Sequence, residues 1–371
     1  MEIYALKALT TQVLWVAFFL SVLFGVIAQR TNFCTMGAIT DIVNIGDWTR
    51  MRMWGMSIGV AMIGFYGMTF AGLIDPAKTL YASSRFIWLS ATVGGLLFGF
   101  GMVLGSGCGS KTLVRIGGGN LKSVVVFVVM GVAAFATLKG ITAILKVATI
   151  DRVAIEFSSN ATLPNWLSNA MGISPAVAGF TLSMLFGLAL LVWALAGRDF
   201  VRFDNLLAGL GIGTVIVAMW WVSGYLGYVA EHPDTLHEAF LATNSGRAEA
   251  LSFVAPFAYT LDWLMFFSDN SKLLTISIVS VFGVVVGSAA YSLLTRSFRW
   301  EGFRDAEDTA KHLIGAVLMG VGGVCAMGCT VGQGLSGITT LSATSIVAVA
   351  AIIVGCMLAL KYQIWHLERS I

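Results

Sequence analysis

Five cysteines, Cys34, Cys108, Cys325, Cys329 and Cys356, are the residues of this sequence best able to do chemistry. Two of them sit in glycine loops: GSGCGSK around Cys108 and AMGCTVGQGLSG around Cys329. Glycine beside a buried cysteine lets backbone N–H groups approach a ligand closely. Successive N–H groups make a nest for an anion, and a following helix N-terminus adds partial positive charge. The thiol contributes a soft, polarisable S–H, a weak donor suited to a sulfur atom. Gly107, Gly109 and Gly328 are therefore candidate binding residues together with Cys108 and Cys329. The plainer alternative is that the glycines serve packing and the cysteines act as small hydrophobes. A single such loop favours that alternative; two aligned copies favour a site.

The elements that hold these loops must lie in a membrane. Of 371 residues, 57% are hydrophobic and only 11% are charged, against about a quarter charged in a soluble domain. A globule with so few polar side chains could not cover its own surface. The 42 glycines suit close helix packing and helix breaks. A net charge of +3, with no basic run carrying interleaved aromatics, excludes a nucleic-acid partner. The apolar stretch from Thr11 to Ala28 is followed by Gln29, Arg30 and Thr31 rather than a cleavage site, so it reads as a first span.

A span needs about 20 apolar residues. Nine candidates begin near Thr11, Trp54, Phe86, Lys122, Ile173, Asp204, Lys272, Lys311 and Ala343. Four further stretches, Phe33 to Asn44, Gly105 to Asn120, Leu251 to Phe267 and Gly328 to Ile338, are too short or too interrupted. They read as re-entrant half-helices, tolerated at membrane depth only where they line a cavity or are buried in protein. Threading nine spans puts fourteen of the 22 Lys and Arg on one side, Arg369 among them. That side is expected to be cytoplasmic, with the N-terminus outside and the C-terminus inside. The loop bearing Glu231, Asp234, Glu238 and Glu249 then faces out.

The expected fold is an all-α polytopic membrane protein with two repeats of inverted topology. GFGMVLGSGCGSKTLVRIGGG (Gly99 to Gly119) aligns without a gap on GVGGVCAMGCTVGQGLSGITT (Gly320 to Thr340), matching Gly99, Gly101, Gly107 and Cys108 to Gly320, Gly322, Gly328 and Cys329. NFCTMGAIT, with Cys34, aligns more weakly on SFVAPFAYT. Residues 1–150 form the first repeat, 151–203 an outer loop and connector helix, and 204–371 the second repeat. Five spans separate the two cysteine loops, so the loops should enter from opposite faces. Such a repeat holds a transport site near the midplane. The step depends on Leu251 to Phe267 re-entering rather than crossing.

The remaining polar residues weigh less. Lys111 and Arg115 read first as part of the positive-inside bias and second as an anion-attracting pair; Arg30 is similar. Asp41 and Asp262 are the most membrane-adjacent acids, read as half-helix caps before proton acceptors. Cys325 aligns with Leu104 and reads as filler, Cys356 as packing. His232, His237, His312 and His366 do not converge, so no metal site is expected. Trp220 and Trp221 read as interfacial or packing aromatics. Without a Walker A sequence, HExxH or GxSxG, and with no histidine near Cys34, Cys108 or Cys329, an enzyme is not expected. No cofactor is expected either.

QRTNFCTMGAITD, GFGMVLGSGCGSKTLVRIGGGN and GVGGVCAMGCTVGQGLSG together resemble the YeeE/YedE family of sulfur-transport membrane proteins, over nearly the whole chain. The resemblance implies uptake of thiosulfate, or another sulfur or selenium species, across a bacterial inner membrane. It also implies an hourglass-shaped protein that passes the anion along cysteines by S–H···S hydrogen bonds. Carried over, those cysteines are Cys34, Cys108 and Cys329. Gln333 stands where relatives often have histidine. A separate cytoplasmic sulfur-carrier protein is implied as a partner, beside the lipid bilayer. Two other readings stay open: a transporter of an unrelated anion, and a membrane sulfur-transfer protein that forms a cysteine persulfide.

Overall fold

A computed structural model describes residues 3–233 and 235–370. Asp234 and the side chain of Arg369 lie outside the described residues. Helix dominates; the strands among the described residues are two-residue pairs in loops, Arg85–Phe86 with Ile155–Glu156 and Tyr228–Val229 with Ala239–Phe240.

In chain order the helices are α1 (Ile3–Thr31), α2 (Thr35–Ile45), α3 (Thr49–Phe70), α4 (Trp88–Leu104), α5 (Gly109–Gly117), α6 (Leu121–Lys139), α7 (Ile141–Ala148), α8 (Leu163–Met171) and α9 (Pro175–Leu195). They continue with α10 (Phe203–Leu206), α11 (Ile212–Trp221), α12 (Ala255–Met265), α13 (Ile276–Leu294), α14 (Ala306–Cys325) and α15 (Ala343–Ser370). Three π-helical segments, Leu207–Gly211, Val222–Leu226 and Gly332–Gly337, interrupt the pattern.

Among the described residues eight stretches are long and apolar enough to cross a membrane. They are built on α1, α3, α4, α6, α9, the run through α10 and α11, α13 and α15. The ninth expected span corresponds to α14, which has 20 residues but opens on Glu307, Asp308, Lys311 and His312. Its polar start is held by a 2.9 Å ion pair from Lys122 to Asp308. The rest of α14 lies along α4 and α6. The first helix also starts earlier than Thr11, because a lone Lys7 does not break the periodic run before it.

The two faces differ in content. A loop face carries residues 71–87 and 227–254, and a basic face carries Arg50, Arg115 and Arg299. α12 has 11 residues, as has α2, so each is about 16 Å long, half the hydrocarbon thickness. Neither crosses. α12 leaves and returns at the loop face, where the Ile276 N–H donates to the Ala242 carbonyl at 2.8 Å. α13 then runs to the basic face, where the Arg299 N–H reaches the Gly118 carbonyl at 3.0 Å. α2 leaves and returns at the basic face. The Cys108 turn is thus approached from the basic face and the Cys329 turn from the loop face.

Glycine lets these helices touch backbone to backbone. α1 packs on α13, where a Cβ on Gly287 would stand 2.0 Å from the Val22 carbonyl oxygen. α4 packs on α15, where a Cβ on Gly99 would stand 2.1 Å from the Ile352 carbonyl oxygen. In lipid, where no hydrophobic force separates tails from Leu, such van der Waals contact drives association. Replacing Gly287 by Val is expected to cost about 1–3 kcal/mol through overpacking. Heated in detergent, this variant should lose its monodisperse peak below the wild-type temperature. Gly67→Ala, whose Cβ meets nothing within 4 Å, should not; equal behaviour of the two variants would refute the close-packing account.

Candidate functional site

One backbone device recurs at Cys34, Cys108 and Cys329. Two residues before each stands a non-glycine residue in the left-handed region: Asn32 (φ 51°), Ser106 (φ 55°) and Met327 (φ 58°). The next N–H closes on the carbonyl five residues back. Phe33 reaches Ala28 at 3.2 Å, Gly107 reaches Met102 at 2.8 Å, and Gly328 reaches Gly323 at 2.8 Å. This is the Schellman ending, which satisfies the last carbonyls of α1, α4 and α14. Cys34 and Cys108 then sit at the N-caps of α2 and α5, and Cys329 directly precedes the helical turn that begins at Thr330. Cys34 Sγ accepts from the Gly37 N–H at 3.5 Å, and Cys329 Sγ from the Gly332 N–H at 3.4 Å. Cys108 Sγ instead lies 3.3 Å from Ser110 Oγ.

The turns converge. The thiols of Cys34 and Cys108 lie close enough to influence one another. Thr330, next to Cys329, brings its buried hydroxyl beside the Cys108 sulfur without a well-formed bond. Phe253, at the start of the α12 half-helix, directs its backbone at Cys329. A Cβ on Gly109 would lie 3.3 Å from Phe253, so the first loop and the second half-helix abut. Cys108 and Cys329 are fully buried, and Cys34 is 5% exposed. Three soft donors and the N-termini of short helices therefore meet at one waist.

A vestibule opens from each face. On the basic face a cavity of about 440 Å³ is lined by Cys34, Asn32, Ser106, Arg50, Lys111, Arg115 and Arg299. Lys111 Nζ donates to Asn32 Oδ1 at 3.3 Å, and Arg50 pairs with Asp41 at 3.2 Å. On the loop face a cavity of about 360 Å³ reaches Met327 and Gly328. Its lining includes Lys146, already paired with Asp151 at 2.5 Å, and Glu249. Glu249 is buried, and Ser245 Oγ and Ser277 Oγ donate to its carboxyl at 2.9 and 3.2 Å. Burial pushes that carboxyl above the usual carboxylate range, against these hydrogen bonds.

Several sequence-selected residues fall elsewhere. Arg30 pairs with Asp204 at 2.8 Å and stacks over Phe203, away from both vestibules; α10 supplies both partners. Asp41 and Asp262 cap no half-helix. Asp41 takes Arg50, and Asp262 takes Lys272 at 2.6 Å. Gln333 lies at the waist, but its Nε2 donates to the Ala326 carbonyl at 2.6 Å, tying down the Cys329 turn. Cys325 packs against Gly94 and Cys356 against Gly99. Gly107 and Gly328 complete the Schellman turns. Glu249 is no solvated loop acid but a buried one. The sequence reading passed over Arg50, Arg299, Ser110 and Thr330. Asn32 alone carried a signal for its turn, since asparagine is the commonest substitute for glycine in the left-handed cap.

The family description Sulphur transport matches residues 30–358, which includes all three turns. The chain belongs to this family. A thiosulfate transporter, TsuA, of Escherichia coli K12 is 27% identical over 323 residues, covering 84% of this chain and 84% of that protein. TsuA of Spirochaeta thermophila is 24% identical over 353 residues, covering 92% and 96%. A probable transporter, YedE, of E. coli K12 is 30% identical over 110 residues, covering 30% and 26%.

Exposure orders the thiols. A small water-soluble thiosulfonate applied to the basic face of single-cysteine variants should modify Cys34 well before Cys108 and leave Cys356 unmodified. Equal rates at Cys34 and Cys356, read by mass spectrometry, would contradict this geometry.

Proposed function

We propose that this chain imports thiosulfate, or a related small sulfur-containing anion, across a bacterial inner membrane, handing it along Cys34, Cys108 and Cys329. The observation that carries the reading is the meeting of three cysteine-capped turns at a buried waist between two vestibules. The relatives named as thiosulfate transporters supply the substrate class. The anion enters at the loop face and meets Cys329 first. Its terminal sulfur accepts S–H from each thiol in turn, while helix N-terminal N–H groups hold its oxygens. Lys111, Arg115 and Arg50 make the basic vestibule attractive to an anion that has passed the waist.

The basic face is cytoplasmic in this reading, with the N-terminus outside and the C-terminus inside. Residues 1–150 and 204–371 act as two inverted repeats joined by the connector 151–203. Support comes from the half-helices α2 and α12, which re-enter from opposite faces. A separate sulfur-carrier protein receives the anion's sulfur on the cytoplasmic side. No cofactor is required, because each step exchanges one weak donor for another.

The test is sulfur-limited growth and labelled-thiosulfate uptake in a bacterium lacking its own importers. Wild type should rescue. Cys108→Ala and Cys329→Ala, at equal expression, should each lower uptake by fivefold or more, since a lost hydrogen bond of about 1 kcal/mol is worth about fivefold. Serine keeps an X–H donor but loses soft sulfur, and at Cys329 it also caps the helix more firmly. Serine variants should therefore remain impaired. Undiminished uptake in every alanine variant would overturn the cysteine path, and failure of well-expressed wild type to rescue would overturn the substrate.

A further inference from the structure

The loop-face vestibule presents a problem for an anion. Its lining holds a buried carboxyl, Glu249, and its one lysine, Lys146, is neutralised by Asp151 at 2.5 Å. The cavity leads to Met327 and Gly328, the turn before Cys329. A dianion that enters through this cavity passes this carboxyl before it reaches the Cys329 turn. Charge interactions are strong where water is scarce, so an ionised Glu249 there would repel the substrate.

We infer that Glu249 is a proton-binding site on the uptake path, and that the anion passes only when this carboxyl carries a proton from the loop-face solution. The inference rests on the import reading above. The step is a simple protonation: a carboxylate oxygen takes a proton from water at the mouth and the local negative charge disappears. No bond in the anion is made or broken.

The surroundings fit a proton better than a metal cation. The groups on the carboxyl are hydrogen-bond donors: Ser245 Oγ at 2.9 Å and Ser277 Oγ at 3.2 Å, from two different elements. The Glu249 N–H is itself held by Ser223 Oγ at 3.1 Å, which fixes the residue. A cation site would need acceptor oxygens turned inward. No charged neighbour neutralises it: two phenols interact with it, and the nearby cations are engaged elsewhere. Tyr81 donates its hydroxyl to the Gly332 carbonyl at 2.6 Å, and Tyr259 is a neutral phenol. Arg247 turns to the Ala82 carbonyl at 2.7 Å, and Lys272 to Asp262 at 2.6 Å. Burial raises the carboxyl's affinity for a proton, which brings its titration toward the pH of the medium.

The experiment is initial thiosulfate uptake at a series of external pH values, from the usual carboxylate range to above neutrality. Thiosulfate itself stays a dianion throughout. Wild-type uptake should be level below the raised pKa and fall by up to about tenfold per pH unit above it, following the protonated fraction of one group. Glu249→Gln, an uncharged mimic of the protonated carboxyl, should keep uptake high at alkaline pH and flatten the profile. Ser277→Ala removes a donor that favours the ionised form, so its midpoint should move to higher pH; a purely structural role would not produce that shift. Uptake that is present but level with pH in wild type, or a Ser277→Ala midpoint that does not move, overturns the inference alone. Absence of wild-type uptake at every pH overturns the import reading and this one with it.

Discussion

Backbone polar groups at membrane depth must find partners inside the protein, and the interior of this molecule is organised by that requirement. A helix that stops mid-membrane strands its last carbonyls and exposes the first N–H groups of the next helix. The chain stops in this way after Thr31, Leu104 and Cys325, and it uses one turn each time. The Schellman closure satisfies the carbonyls behind, and the cysteine stands over the N–H groups ahead. Position and chemistry are thus settled together. The residue after the closure is obliged to be an N-cap, and in three cases it is a thiol. The left-handed residue before it costs something in each case, since Asn32, Ser106 and Met327 all bear a Cβ.

Charge divides the molecule in a way that the turns do not. The basic vestibule gathers Lys111, Arg115, Arg299 and the Asp41-paired Arg50 around Cys34, against one acid, Glu301. The loop vestibule presents Glu249, and its cation is already paired. An anion therefore meets repulsion or neutrality on one side of the waist and attraction on the other. Glu238, farther out, is engaged by Lys78 in an ion pair that holds its carboxyl below the usual range. Two acids in one loop are thus driven in opposite directions. An exposed one beside a lysine is easier to ionise, and a buried one among hydroxyls is harder.

How much of this could be read from the chain differs by element. The re-entrant α2 and α12 were legible, because the Phe33 to Asn44 run is too short to span and Pro256 and Asp262 interrupt the Leu251 to Phe267 run. The pairing of the Cys108 and Cys329 loops was legible because the repeat survives as an ungapped alignment. The contact between Cys34 and Cys108 was not. It depends on α13 holding α1 beside α5 through bare glycines, and no local spacing encodes that three-body packing. The partner of Arg30 was illegible for a related reason. A count of cations assigns a side of the membrane but not a depth or a partner, and Asp204 lies 174 residues away. Glu249 was hidden because hydropathy reads its neighbours as loop, although Ser223, Ser245 and Ser277 enclose it. The opening turn of α14 can be less apolar than a span would need, since Lys122 from α6 takes up the charge of Asp308.

The choice of cysteine over serine at these caps follows from the strength of the bond it makes. Serine is among the best N-caps because its oxygen binds an N–H firmly, by about 1 kcal/mol over alanine. Sulfur is a weak acceptor, and here it stands at 3.5 Å from the Gly37 N–H and 3.4 Å from the Gly332 N–H. Those amides are held in place yet given up at small cost. An oxyanion arriving at the waist must recover its hydration from whatever donors it finds, and an N–H tied to an oxygen would be poorly available to it. On the transport path proposed above, a thiol would keep the N–H aligned, release it to the anion's oxygen, and turn its own S–H toward the anion's sulfur. The same weakness lets the anion leave, which conduction through successive sites demands as much as binding does.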